Sequence, residues 1–487
     1  MKLKIVFKTI VRNFIVISML VFISLIEFLL VSGVILVTFF AEVINPIKVT
    51  RVISNLSLFF IIYALNFCEF TYISPLSFLF IALTCFLLSE CALSINENSL
   101  FLKPLCVSLL LIGIFLIGCF IVEDLLLFYI FFEAILIPMY ILVGLWGSRE
   151  RKIRAVYLLF FYTLVSSLFF LMGILYLFYV FNTTNIEWLT YFCNIYLTNT
   201  EQYALWLFFF FSFASKIPVF PLHIWLPEAH VEAPTIGSVL LAGILLKLGV
   251  YGFMRFSLAL FESASIFFSP LIYTLCIFGI IYASFSAIRQ TDIKRIIAYS
   301  SVAHMNLVVI GIFSFTVVGI EGAVFQSLSH GFVAGSLFFL IGFLYNRYHS
   351  RFLSYYGGLV HFMPIYAIFF LFFTLSNIAL PGTSSFVGEF LLLFGIFKFN
   401  SFIAILSTLG VILCGAYSLW LYNKIIFGNI KNNHLVQFVD LDVKEIFILF
   451  TAAVIVLLLG IYPTILFEYC HSISYFFVSN FISNVIL

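Results

Sequence analysis

Charge is what this sequence most lacks. Of its 487 residues only 9% are charged, while 64% are hydrophobic. Soluble domains carry about 25% charged residues, and a water-facing surface cannot be built from so few, so most of the outer surface must face lipid. The net charge is +2, and no basic run is long enough to make a phosphate-binding patch, which excludes nucleic acid as a partner. The nine cysteines are scattered. Cys68, Cys85, Cys91 and Cys414 are examples, and no two form a CxxC pair, so neither a zinc site nor an iron–sulfur cluster is expected and they read as apolar filler. A glycine-rich nucleotide loop following a strand is also missing, so no flavin or nucleotide cofactor is expected in this chain.

What is there is a succession of apolar runs of about 20 residues, the length that crosses a bilayer as a helix. Their cores fall at 14–40, 52–67, 72–93, 103–120, 122–147, 153–181, 204–224, 231–257, 268–288, 293–313, 316–344, 360–400, 402–427 and 445–468. The 360–400 run is too long for one straight span. It is interrupted at Leu380-Pro381-Gly382, so it reads as a broken helix over 376–400 preceded by a separate apolar stretch. The expected fold is an all-α, polytopic membrane protein of about fourteen transmembrane helices. Connections are short except at 182–203 and 428–444, so 1–487 reads as a single membrane domain.

The first run follows Lys2, Lys4, Lys8 and Arg12. From Phe14 to Phe40 it exceeds the ~7–15 apolar residues of a signal-peptide core and shows no cleavage site, so it reads as a retained helix. No Arg- and Ser-rich transit sequence precedes it. Phenylalanine, whose codons are AT-rich, occurs 66 times, which points to an AT-rich, organellar genome. Lysine and arginine gather in the odd-numbered loops, at Lys48, Arg51, Lys103, Arg149, Arg151, Lys152, Arg154, Arg289, Lys294, Arg295, Arg347, Arg351, Lys424, Lys431 and Lys444. Even-numbered loops hold Arg255 and Lys398. The positive-inside rule puts the odd loops in the matrix or cytoplasm, against the four N-terminal cations.

A few ionisable residues stand where lipid-spanning sequence should have none. Of 23 lysines and arginines, only Lys216 and Lys247 fall well inside expected spans. Glu133 sits near the middle of 122–147, His330 near the middle of 316–344, and Glu389 just beyond the Pro381-Gly382 break. A charge at the bilayer centre costs roughly 2.5–3.5 kcal/mol on insertion scales. Burial favours the neutral form of such a group and a neighbouring opposite charge favours the charged form. A lysine held between these effects changes protonation when its partner moves, which is the property a proton relay needs. The bland alternative is a set of static ion pairs gluing helices together.

Proline and glycine give a second signal. Lys216 is followed by Ile217-Pro218-Val219-Phe220-Pro221, and the later break reads Ala379-Leu380-Pro381-Gly382-Thr383. Broken helices in corresponding positions of two halves point to a transport site. The expectation is two inverted five-helix repeats, 103–257 and 268–427; ordinary kinks are the alternative, since no residue-level match joins the halves. Glu123 and Asp124 lie at a helix end. His304 admits both a relay role and a structural one. His223, Glu228, His230 and Glu232 fit no HExxH metal pattern, and a loop-packing or proton-uptake role is expected for them.

The same residues carry a family resemblance. The stretch Ser215-Lys216-Ile217-Pro218 through Pro221-Leu222-His223-Ile224-Trp225-Leu226-Pro227-Glu228-Ala229-His230, continuing to Leu245-Leu246-Lys247-Leu248-Gly249, resembles the signature of the antiporter-like subunits of NADH:ubiquinone oxidoreductase, respiratory complex I, in its subunit-4 form. Phe131-Phe132-Glu133, Ser329-His330-Gly331, Leu380-Pro381-Gly382-Thr383 through Gly388-Glu389-Phe390, Ala416-Tyr417-Ser418-Leu419-Trp420 and Gly460-Ile461-Tyr462-Pro463 extend it over about residues 70–465. The resemblance implies that Glu133 and Lys216 form the family's ion pair, that Lys247 is the central relay lysine, that His330 bridges along the midplane and that Glu389 is the terminal acidic group. It implies that NAD, FMN, iron–sulfur clusters and ubiquinone are held by other subunits. The implied partners are other membrane-arm subunits, including neighbouring antiporter-like ones, together with lipid. The implied location is the mitochondrial inner membrane, with the gene in the mitochondrion. Two other readings are a subunit of a multisubunit Na⁺/H⁺ antiporter, which shares the fold, and a non-catalytic scaffold.

Overall fold

In lipid a backbone amide has no water to bond, so a spanning chain must satisfy its own hydrogen bonds within helices. The computed structural model obeys this throughout: it describes residues 24–38, 45–67, 75–97, 101–429 and 439–486, and no strand occurs among them. Lys2, Lys4, Lys8, Arg12, both ends of the first apolar run, Cys68, Lys431 and the rest of 430–438 lie outside the described residues. Among the described residues ten helices are long and apolar enough to cross a membrane.

The chain divides into two compact units, Met1–Leu142 and Val143–Leu487. The first holds α1 (Ser24–Thr38), α2 (Pro46–Phe67), α3 (Pro75–Ser94), α4 (Leu102–Ile121), α5 (Leu125–Ala134) and the beginning of α6 (Leu136–Trp146). Arg51 of α2 fastens the end of α3, donating from Nε to the Ala92 carbonyl at 3.2 Å and from Nη2 to that of Ile95 at 2.8 Å. Asp124 caps α5, its Oδ1 accepting the Leu126 amide at 2.9 Å. Pro138 lacks an N–H for the Ala134 carbonyl, which breaks the span between α5 and α6 directly after Glu133.

The second unit runs from α7 (Lys152–Phe181) through α8 (Ile186–Tyr196), α9 (Asn199–Lys216) and α10 (Trp225–Glu232). Next come α11 (Thr235–Leu240) and α12 (Leu246–Gly252), each followed by a π-type segment, Leu241–Leu245 and Phe253–Leu258. Then follow α13 (Glu262–Arg289), α14 (Ile293–Ile312), α15 (Val317–Tyr348), α16 (Pro364–Asn377), α17 (Ser384–Phe399), α18 (Ser401–Ile426), α19 (Val443–Ile461) and α20 (Thr464–Ile486). The sequence analysis ended its last run at 468 and did not separate α20. That helix docks on α15 through the Glu321 carboxylate, which lies 2.7 Å from His471 Nδ1 and accepts from Ser474 Oγ at 3.2 Å.

Glycine sets two close crossings that position the site. A Cβ on Gly249 would sit 2.5 Å from Ile217 Cγ1, so α12 presses against the end of α9. A Cβ on Gly388 would sit 2.8 Å from Gln326 Cα, so α17 lies tightly along α15. Helix α15 is buried from Gly319 to Leu344 and is the centre of this unit.

Candidate functional site: a buried line of titratable side chains

Four of the five expected residues sit near a place where a helix is interrupted or widened; the fifth, His330, lies midway along the unbroken α15. Lys216 ends α9, because Pro218 has no N–H to continue it and restricts Ile217 to an extended conformation. A lysine at a helix C-terminus faces the negative end of the helix dipole. The side chain is buried, and the neighbouring Ser215 carbonyl accepts from Trp225 Nε1 at 2.8 Å, tying α9 to α10 across the break. Lys247 follows the π-type segment Leu241–Leu245, a wider turn that often marks functional positions. Glu389 lies in the second turn of α17, after the Ala379–Gly382 break, where Gly382 takes φ +94°. Glu133 is half-buried in the last turn of α5 and belongs to the first unit.

Three of the five expected residues converge in the second unit. Lys247 is fully buried, and its Nζ donates to the Ala242 carbonyl at 2.7 Å and lies 3.0 Å from His330 Nδ1. An ammonium has donors and no acceptor, so a charged Lys247 puts the His330 proton on Nε2. The His330 ring centroid is 5.9 Å from that of His304. His304 Nδ1 lies 3.0 Å from Glu389 Oε1. The same carboxylate oxygen accepts from Gln326 Nε2 at 3.1 Å, and Gln326 Oε1 accepts from Ser329 Oγ at 3.1 Å. His304 Nε2 meets the Cys414 sulfur at 3.6 Å, and Tyr417 donates its hydroxyl to that sulfur at 3.1 Å. A cavity of about 20 Å³ opens among His304, Glu389, Cys414 and Tyr417. A single water needs roughly 10–15 Å³ by this measure. The chain thus places Lys247, His330, His304 and Glu389 in one buried sequence of titratable groups, with steps short enough for proton transfer directly or through one water.

Sequence reasoning left His304 undecided, read Cys414 as apolar filler, gave Ser329 and Tyr417 no role beyond the motifs they belong to, and did not single out Gln326. It also counted Arg351 and Lys294 as loop cations. Both are buried. Arg351 Nη2 is 3.4 Å from Glu232 Oε1 and its Nε is 3.7 Å from Asp292 Oδ2, while its Nη1 donates to the Val231 carbonyl. Lys294 donates to the Ala233 carbonyl at 2.9 Å. Burial pushes the Asp292 carboxyl up from its ordinary range, and the Arg351 guanidinium pulls it back. The signal that could have found this cluster is the five charges in the short stretches Glu228–Glu232 and Asp292–Arg295, too many for a solvated turn between apolar helices.

Comparison with known proteins decides the family. Residues 122–414 match the family described as NADH:quinone oxidoreductase/Mrp antiporter, transmembrane. The chain belongs to that family. It is 51% identical over 401 residues to NADH-ubiquinone oxidoreductase chain 4 of Marchantia polymorpha, covering 82% of this chain and 80% of that one. Its structure matches a chain of respiratory complex I from Thermus thermophilus with bound NADH at a TM-score of 0.86 and 28% identity, covering 94% of this chain and 99% of that one. The subunit-4 resemblance read from the motifs therefore holds. A chain in the Mrp complex of Dietzia sp. DQ12-45-1b is similar at a TM-score of 0.81 and 18% identity, covering 94% of this chain and 97% of that one. That likeness is one of fold alone, and it leaves the antiporter reading no better supported than the complex I reading.

Proposed function

We propose that this multi-pass membrane protein is a proton-translocating membrane-arm subunit of NADH:ubiquinone oxidoreductase, working through a midplane relay of Glu133, Lys216, Lys247, His330 and Glu389, with His304 as an added link. The observation that carries the relay is the pair of 3.0 Å contacts, Lys247 to His330 and His304 to Glu389, with the two imidazoles 5.9 Å apart between them. A static glue would have no need for four titratable groups end to end, because each buried ionisable group costs free energy that apolar packing would avoid.

In this reading the redox chemistry belongs to partner subunits, which hold NAD, FMN, iron–sulfur clusters and ubiquinone. This chain turns their conformational or electrostatic signal into proton movement. It sits in the mitochondrial inner membrane with its odd-numbered loops on the matrix side, beside other antiporter-like subunits and lipid. The repeats are 103–257 and 268–427, and the Lys216-Pro218 and Pro381-Gly382 breaks occupy corresponding places in them, which supports transport between the two halves.

The test is Lys247→Ala in the assembled complex. NADH oxidation and proton translocation are measured together in sealed membranes. The expected outcome is fewer protons moved per NADH with assembly retained. Unchanged stoichiometry in fully assembled complex refutes the relay.

A further inference from the structure

Both nitrogens of His304 have partners, and those partners decide which of the two carries the moving proton. Nδ1 faces Glu389 Oε1 at 3.0 Å. Nε2 faces the Cys414 sulfur at 3.6 Å. Two further side chains hold that sulfur. Tyr417 donates its hydroxyl to it at 3.1 Å, and Asn377 donates from Nδ2 at 3.6 Å. The thiol hydrogen is itself engaged, donated to the Asn377 carbonyl at 3.4 Å. Asn377 ends α16, where a carbonyl has no following turn to bond it. His304, Asn377, Cys414 and Tyr417 are all buried.

A sulfur that receives two donors and gives its hydrogen to a carbonyl can meet a third nitrogen only as an acceptor, and a weak one. His304 Nε2 therefore keeps its hydrogen. Which imidazole nitrogen titrates is set by the bond that the other one makes. The nitrogen that gains and loses a proton is then Nδ1, the one against Glu389. With Nε2 protonated throughout, the pair has two forms. In one, an imidazolium faces a carboxylate. In the other, a neutral imidazole accepts from a protonated carboxyl. Passing from the first to the second breaks one N–H bond and makes one O–H bond, and nothing else changes.

We propose that Asn377, Cys414 and Tyr417 form a positioning clamp that fixes the tautomer of His304, so that His304 and Glu389 hold and release one proton together at the Nδ1–Oε1 contact. None of the three passes the proton on; they act through the imidazole. The clamp also reaches across the Pro381-Gly382 break. Asn377 closes the helix before the break, Glu389 belongs to the helix after it, and the sulfur on α18 joins them through His304 on α14. This inference rests on the relay reading above and adds the atom at which the proton is held.

The experiment uses the assembled complex in sealed native membranes and scores protons moved per NADH oxidised at equal complex content. Cys414→Ala and Cys414→Ser remove nearly the same bulk, but only serine keeps an atom that accepts from Nε2. The expected result is a loss in Cys414→Ala, most of which Cys414→Ser restores. In a His304→Gln background, itself lowered, Cys414→Ala is expected to add nothing, because the clamp acts through the imidazole. If Cys414→Ala does not assemble, the similarly shaped pair Cys414→Val and Cys414→Thr is scored in the same way. Equal loss in the alanine and serine variants assigns Cys414 a packing role and overturns the clamp. Normal stoichiometry in Cys414→Ala, or a further loss on top of His304→Gln, overturns it too. Normal stoichiometry in His304→Gln beside a loss in Lys247→Ala overturns the clamp and leaves the rest of the relay standing. Normal stoichiometry in both His304→Gln and Lys247→Ala overturns the relay and the clamp with it.

Discussion

Gln326 and His304 approach the same oxygen of Glu389, from α15 and α14, at 3.1 Å and 3.0 Å. That oxygen is therefore fixed between a permanent donor and a titratable one. The amide holds the carboxylate in place, and in the proposed relay the imidazole exchanges a proton with it. This arrangement orients the last acidic group of the line without consuming its proton chemistry, and it makes Gln326 separable from Glu389 by mutation.

Gln326→Leu removes one donor from Glu389 and one acceptor from Ser329. A buried polar group left without its partner costs about 1–3 kcal/mol. The expected outcome is a lower unfolding temperature for the subunit together with slower proton translocation, while NADH oxidation by uncoupled membranes stays near normal. Gln326→Glu, which puts a second carboxyl beside Glu389, is expected to impair translocation more. Equal translocation in wild type and both variants would show that Glu389 needs no orienting donor.

At the crossing of α12 and α9, Gly249→Val is expected to separate the helix of Lys247 from the break at Lys216. The added Cβ would lie 2.5 Å from Ile217 Cγ1 and 3.0 Å from the Phe213 carbonyl oxygen. Overpacking of this kind costs about 1–3 kcal/mol. Gly249→Ala is expected to be milder, and Gly249→Val with Ile217→Ala is expected to recover part of the loss. Native gel assembly and detergent thermostability read the effect, and full assembly of Gly249→Val on its own would mean the crossing is looser than described.

Arg351 is 1% exposed and faces two carboxylates, Glu232 and Asp292. Removing one partner of a buried ion pair costs about 3–5 kcal/mol, because the other is left charged and dry. Arg351→Ala is therefore expected to abolish stable accumulation of the subunit. Arg351→Ala combined with Glu232→Gln is expected to be less damaging than Arg351→Ala alone. A double variant no better than the single one would show that the damage comes from lost packing.

Much of the fold and part of the site were legible in the sequence, for a physical reason. Lipid forbids unpaired amides and unpaired charges, so apolar runs announce helices, and Lys216, Lys247, His330 and Glu389 stood out against them. His304 was harder to read because it follows Tyr299-Ser300-Ser301, a polar stretch in which a histidine is unremarkable. Gln326 is uncharged, and no insertion penalty flags it. Arg351 and Lys294 lie next to turns, where cations are expected, and only the packing of α10 against α14 shows that they are buried. Helix α20 was missed because Phe467-Glu468-Tyr469-Cys470-His471-Ser472 breaks the apolar pattern, while its contact with Glu321 is made only in three dimensions.

The gap beside His304 and Glu389 has a volume of about 20 Å³, enough for one solvent molecule. A sodium ion travels with its hydration shell and gives it up only where a ring of oxygens replaces it. His304, Glu389, Cys414 and Tyr417 offer a single carboxylate, a thiol, a phenol and an imidazole, with no such ring of oxygens. In the proposed relay, a gap this narrow lets a charge be handed across by rearranging bonds to hydrogen, while a particle of larger radius has no room to follow.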